Sequence, residues 1–409
     1  MSGKATGKCR EAFMDEAWSA AVEAAVAGAT SHRETVASLK EVLLANLVMV
    51  GEIPAETFKE EKRVRFILDR FREAGLDKIS TDEASNALAV LPGQEGKRSL
   101  LVCAHLDTSF DEVADHTVAV ETDLIRGAGI ADNSLGVAVL CSLPSILQAL
   151  EIRLKSDLIL MGAAQGLGRG NLHGMDFFLD HHRGRIDAGI CVEGVDLGRL
   201  SYQSIGMLRG EIVCRRKGSD LGAAPMSAGA IEPLAEVVRL IEEIPVPLRP
   251  PTTITLGAMT AGNTFHLAAP VGSLRFEVRS AKVGLVATIQ EQIEEIVTRV
   301  GLEAGVDLSL EVIARRRNGG IDFGHPLTAT TRRVMQALAV TPKVKPSVGE
   351  LSSLIARDIP GVTLGITERA PDHEGREGVR IEPIFSGIAQ LVAMLQAVDA
   401  GVCDGEEQS

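Results

Sequence analysis

Leu100-Leu101-Val102-Cys103-Ala104-His105-Leu106-Asp107-Thr108 is an apolar run that ends directly on a histidine and an aspartate. An unbroken apolar run of this length predicts a strand buried on both faces rather than one with a wet side. Similar runs at 87–91, 158–161 and 186–192 alternate with helical stretches at 134–150 and 172–179, where Pro144 is expected to kink the first helix. Buried strands alternating with helices predict an α/β fold, a mixed sheet with helices on both faces.

Upstream, 11–30 reads as a helical arm, 34–50 as a second helix and 60–74 as a third after the break at Gly51-Glu52-Ile53-Pro54. Beyond Gly206 the texture changes. Strands are expected at 209–215, 253–256 and 273–278, and helices at 231–244 and 286–300, which together make a smaller α+β unit. From about Asn318 the pattern returns to helix, strand (361–366), loop and helix (384–398). The chain has 409 residues, too many for one typical core. The simplest division is a domain of 1–205 with 312–409, interrupted by an inserted domain of 206–311.

The formal net charge is -13 and aromatics make up 3% of residues. Both oppose a nucleic-acid partner, which needs a basic face or a stacking platform. The local basic run Arg315-Arg316-Arg317 reads as hinge structure. Cys9, Cys103, Cys141, Cys191, Cys214 and Cys403 form no CxxC and no close pair, as expected in a reducing cytoplasm. No signal-like start and no apolar run of membrane-spanning length are read, so no membrane partner is expected.

The chemistry gathers at the ends of apolar runs. His105 and Asp107 close one run, Glu193 closes Ile190-Cys191-Val192, and Asp132 lies in the Gly-rich turn Gly127-Ala128-Gly129-Ile130-Ala131-Asp132-Asn133. Each alone reads as a buried histidine, a capping aspartate or a surface glutamate. Together, at strand ends facing one crevice, they offer imidazole and carboxylate donors suited to zinc or manganese. Asp107, two residues beyond His105, is placed to accept the second imidazole proton.

On Ala104-His105-Leu106-Asp107-Thr108, Gly127 to Asn133, Gly166-Leu167-Gly168, Glu193-Gly194 and Asp372-His373, the chain resembles a metallopeptidase-like family. That family includes aminoacylase, acetylornithine deacetylase, succinyl-diaminopimelate desuccinylase, peptidase T and glutamate carboxypeptidase. The likeness runs nearly end to end. It implies a phosphorylase/hydrolase-like catalytic domain and an inserted lid that mediates homo-oligomer formation. It also implies a first metal held by His105, Asp132 and Glu193, and a second sharing Asp132 with His373 and a glutamate. Two departures matter. The family's paired glutamates, base then ligand, align with Ala164-Gln165, so one divalent ion per chain (Mn or Zn) is expected. Gln165 and His373 then remain as the nearby polar groups able to assist catalysis. In the lid, Arg279 matches a carboxylate-binding arginine, but His266 stands at an asparagine position, either as a substitute or as a plain polar residue. The family's lid histidine has no counterpart at Lys217-Gly218-Ser219-Asp220.

Three functions follow as expectations. The favoured one is a metal-dependent hydrolase that attacks a C–N bond of a small carboxylated substrate, with hydrolytic deamination of an activated aromatic amine (5-nitroanthranilate type) suited to a site lacking the peptidase base. The others are a conventional aminopeptidase or deacylase, and a non-catalytic binding protein that retains the fold.

Overall fold

In the computed structural model, which describes residues 6–76, 78–216, 229–373 and 375–403, the strand Ser99–His105 forms where its apolar run predicts. Its side chains part by parity, as a strand requires. Leu101 and Cys103 cluster with Ile159, Met161, Cys191 and the buried residues of helices His173–His181 and Glu350–Ala356. Leu100, Val102 and Ala104 cluster instead with Leu158, Leu160, Ile190, Val192 and the helices Leu135–Ala149 and Glu382–Asp399. Each such side chain taken out of water contributes roughly 1.5–3 kcal/mol. The sheet is therefore a mixed α/β sheet with helices on both faces.

The sheet has eight strands, in the order Lys78–Thr81, Ala87–Leu91, Asp157–Ala163, Ser99–His105, Ala188–Val195, Gly361–Thr367, Arg199–Ser201 and Lys343–Val344. Ser99–His105 is parallel to both its neighbours, and Ala188–Val195 is parallel to Gly361–Thr367. Ala87–Leu91 and Arg199–Ser201 pair antiparallel with their inner neighbours. The central parallel strands thus end together on one edge, where a crevice forms in such sheets.

The chain divides into one unit of Met1–Gln203 with Gly320–Ser409 and a second of Ser204–Gly319. In the second, an antiparallel sheet runs Thr252–Ala261, Val271–Ser280, Gly206–Arg215, Asp307–Arg316. Helices Ile231–Glu242 and Leu285–Ala304 share its core through Leu234, Val237, Ile289 and Ile293. A return to the first unit at 312 does not match this division. The strand Asp307–Arg316 is held in the second unit by its ladder with Gly206–Arg215, which pairs Leu208 with Arg315 and Met207 with Arg316. These arginines are strand residues, not hinge.

Two further expectations are corrected. The boundary between arm and second helix shifts, because helix Thr6–Ser38 runs on past the expected gap at 31–33 and Lys40–Gly51 follows after Leu39. Neither glycine nor proline interrupts 29–38 to end it. The loop after Gly361–Thr367 is a hairpin, Arg369–His373 with Arg376–Arg380, whose second strand pairs with Leu124–Gly127. Ile130–Ala149 is long and apolar enough by composition to cross a membrane, but 89% of that window is buried inside the protein. It is a core helix. Pro144 lies within its helical part without ending it.

Candidate metal centre

Parallel strands place the first two candidate ligands side by side. Cys103 pairs with Cys191 in register, and their sulfurs are 3.6 Å apart. His105 and Glu193 each lie two residues further on, so the period of two projects both to the same face at the sheet's edge. Asp132 arrives from the turn before helix Leu135–Ala149. The turn needs glycine at 129: φ is 65°, and a Cβ there would lie 2.3 Å from Thr108 Oγ1. Asp132 follows in extended backbone, and its Oδ1 lies 2.9 Å from His105 Nε2. Glu193 Oε2 is 4.0 Å from the same nitrogen, and ligand atoms of all three lie within 4.8 Å of one another.

A second layer of contacts holds these groups. The buried Asn133 side chain donates to the Val192 carbonyl at 2.8 Å and accepts from Gly194 N–H at 2.8 Å, bracketing Glu193 and tying it to the Asp132 turn. Glu377 Oε2 accepts from the Ala131 and Asp132 N–H groups at 3.0 and 3.3 Å, and Arg369 donates to its other oxygen. Arg199 Nη1 stands 3.4 Å from Glu193 Oε1. Asp107 Oδ2 accepts from Leu167 N–H at 2.7 Å and Thr57 Oγ1 at 2.8 Å. That engagement alters the expected histidine contact. His105 Nδ1 lies 3.0 Å from the backbone carbonyl of Asp107 and 3.4 Å from its carboxylate Oδ1, so the carbonyl is the closer acceptor.

The donor set fits a divalent cation. A carbonyl can only accept, so one His105 proton belongs on Nδ1, and Nε2, which faces two carboxylates, carries either a second proton or a lone pair turned to a cation. That arrangement calls for positive charge between them. Burial opposes a charged ring at His105, yet hydrogen bonds to Asp107 and Asp132 raise its pKa well above the usual value. Burial pushes Glu193 up to about 7 against the pull of Arg199. The hydrogen bond to His105 holds Asp132 low. Burial works against the Asp107 charge too, but His105, Leu167 and Thr57 keep its pKa below the ordinary range.

The sign of the pH dependence follows. Both raised groups carry protons near neutrality that a cation must displace, so metal affinity rises as pH increases through about 7 and binding releases protons. Calorimetry at pH 7 in buffers of different ionisation enthalpy should find release of about one proton or more per ion. Affinity that stays flat between pH 6 and 8 contradicts this charge balance.

The remaining sequence candidates divide. Gln165 follows the strand Asp157–Ala163 with φ 55°, and its N–H donates to Glu60 Oε1 at 2.8 Å. Ala164 is fully buried, with its N–H on Asn86 Oδ1. His373 is exposed at the end of its strand and is not part of the three-residue group. His266 and Arg279 belong to the second unit. There His266 is exposed, and Arg279 Nε donates to Glu277 Oε1 at 2.6 Å. Lys217-Gly218-Ser219-Asp220 lies outside the described residues.

The sequence reading assigned no role to Asn133, Arg199 or Arg63, and took Glu350 and Glu377 only as matches to acidic positions of the resembled family, neither aligned with the missing base; all five belong to this environment. Asn133 was open to discovery, since it follows a proposed ligand directly. The others come from distant segments brought near only by folding.

Residues 86–165 match Peptidase family M28, a span that includes His105 and Asp132 and ends at Gln165. No curated protein sequence matches the chain. Among solved structures, it is similar to aminopeptidase PepT from Bacillus cereus, at 17% identity and a TM-score of 0.66, covering 88% of this chain and 98% of that one. The di-peptidase Dug1p from Saccharomyces cerevisiae aligns with a TM-score of 0.73 at 14% identity, covering 91% and 98%. A dinuclear metal-binding peptidase of the M20 family from Bacillus subtilis aligns with a TM-score of 0.61 at 14% identity, covering 88% and 98%. In fold, and in sequence over residues 86–165, the chain is similar to the M28/M20-type metallopeptidases.

Proposed function

We propose that this protein is a metal-dependent hydrolase of a C–N bond, acting on a small amide such as a dipeptide or an acylated amino acid. The observation that carries the reading is the convergence of His105, Asp132 and Glu193 at the edge of the parallel strands. These three would hold the ion, and one ion per chain is the favoured count. Gln165, at the position of the second-site glutamate, is neutral, and His373 is exposed. A divalent ion supplies Lewis acidity and lowers the pKa of water toward neutrality. Arg199 favours the ionised form of Glu193 against the effect of burial, and the Asp107 carbonyl fixes the His105 tautomer so that Nε2 can donate its lone pair. Asn133 and Glu377 keep the Asp132 turn in place against the strand that carries Glu193. His266 and Arg279 are proposed to bind a substrate carboxylate.

The peptidases among the structural neighbours support the amide class. Deamination of an activated aromatic amine remains the second reading, and one observation favours it: Ala164 cannot take a proton where the resemblance places a base. A panel assay of the Mn- and Zn-loaded protein separates them, with dipeptides and acyl-amino acids on one side and nitro-substituted aminobenzoates on the other. Amide turnover with a kcat/KM at least tenfold above any ammonia release is expected. Faster ammonia release reverses the order of the two readings, and no turnover of either class removes both.

A further inference from the structure

Several carboxylates lie in the environment of the proposed ion site, and most are tied down. Glu193 faces Arg199, and Glu377 is held by two backbone N–H groups and Arg369. Glu60 Oε1 accepts from Gln165 N–H, and Asp107 Oδ2 accepts from Leu167 and Thr57. Glu350 differs. It opens the helix Glu350–Ala356 and is only 6% exposed, yet among the described residues its carboxylate has no hydrogen bond and no ion pair. A buried carboxylate without a partner is costly and calls for an explanation.

Its position supplies one. The helix packs on the sheet face that carries Cys103 and Cys191, the parity that also projects His105 and Glu193. Gly166 marks where the groups meet. A methyl group added there would lie 3.0 Å from Asp107 Oδ1, 3.3 Å from Glu350 Oε1 and 3.4 Å from His105 Cβ. Asp107 Oδ1 is itself buried, with no hydrogen-bond partner beyond His105 Nδ1 at 3.4 Å. Glu350 Oε1 and Asp107 Oδ1 therefore both lie close to Gly166, beside the His105 side chain, where a Cβ would crowd them.

We propose that Glu350 is the proton-accepting catalytic residue of this site, entering from a helix on one sheet face in place of the glutamate absent at 164. This rests on the hydrolase reading above. Glu350 Oε1 accepts a proton from water as the water oxygen bonds to the scissile carbon. When the C–N bond breaks, the nitrogen keeps the bonding pair and takes that proton back, so the carboxylate is regenerated.

The test uses the full-length metal-loaded protein and the variants Glu350→Gln, Glu350→Asp and Glu350→Ala. Glu350→Gln should lower kcat by ~10²–10⁴-fold, the usual cost of losing a general base, with KM little changed. Bound metal per chain, measured by elemental analysis, should equal that of the wild type. Formate should restore part of the activity of Glu350→Ala, an effect that a purely structural carboxylate would not give. Glu350→Asp should fall between the wild type and Glu350→Gln, and it serves if Glu350→Gln does not fold. Near-normal kcat in Glu350→Gln overturns the proposal, as does loss of bound metal or a failure of formate to restore activity. If the wild type binds metal but hydrolyses neither substrate class, the hydrolase reading fails and this assignment falls with it. If the wild type is active and Glu350→Gln equals it, this assignment alone fails.

Discussion

Asp132→Ala should strip the protein of bound metal and lower kcat/KM by about 10³-fold or more. A metal ion acting as Lewis acid supplies several kcal/mol of transition-state stabilisation, and each 1.4 kcal/mol is roughly tenfold in rate. Asp132 is the expected point of failure because its Oδ1 is 2.9 Å from His105 Nε2, closer than Glu193 Oε2 at 4.0 Å. Without it, Nε2 and one half-neutralised glutamate remain, too few donors to retain an ion against water. The fold should survive, since the Asp132 side chain is half exposed and the turn is anchored by Asn133 and by Glu377 on the backbone. Elemental analysis after dialysis, with circular dichroism as the control for folding, reads both halves. Retained stoichiometric metal in Asp132→Ala would remove Asp132 from the site.

The largest effect on stability is expected at Arg63. Its guanidinium is fully buried and donates to the carbonyls of Leu106 at 2.8 Å, Ile53 at 2.8 Å and Val50 at 3.2 Å. These bonds tie the end of the helix Lys40–Gly51 and the turn after it to the residue between His105 and Asp107. Burial lowers the Arg63 pKa to about 10, with Asp107 and Glu60 working the other way, so it remains charged at neutral pH. Methionine fills similar volume but leaves those carbonyls short of donors and two carboxylates without a nearby cation. The cost should be roughly 3–5 kcal/mol, and lysine should not rescue it, because a point charge cannot reach three acceptors as a planar fork does. A fall in the thermal midpoint on the order of 10 °C is expected. Urea unfolding that shifts by under about 1 kcal/mol would show that Arg63 is a tolerated surface-type residue instead.

Arg63 also shows where sequence reading loses resolution. In Glu61-Lys62-Arg63-Val64-Arg65 nothing in residue type separates Arg63 from Arg65, which is exposed. Only the helical spacing through Ile67 and Phe71, both buried, places Arg63 on the inward stripe. The central strands and the three donor residues were legible because an apolar run states its own burial and ends where the chemistry begins. Glu350 was not, because its meaning lies in which sheet face its helix covers, a long-range choice that local pattern does not encode. The strand Asp307–Arg316 was missed for a similar reason. Leu308, Leu310 and Val312 alternate with polar residues as in a half-buried strand, but its partner Gly206–Arg215 lies about a hundred residues earlier. Asp107 was read correctly as a neighbour of His105, but its carboxylate is drawn toward Leu167 and Thr57, segments far away in sequence.

The central claim is that His105, Asp132 and Glu193 form one divalent-cation site. Anomalous scattering from crystals of the protein soaked in Mn or Zn tests it most directly. The account predicts a strong peak within coordination distance, about 2.0–2.2 Å, of His105 Nε2 and of oxygens from both Asp132 and Glu193. A peak elsewhere, or none beside His105 while the metal binds in solution, would contradict it.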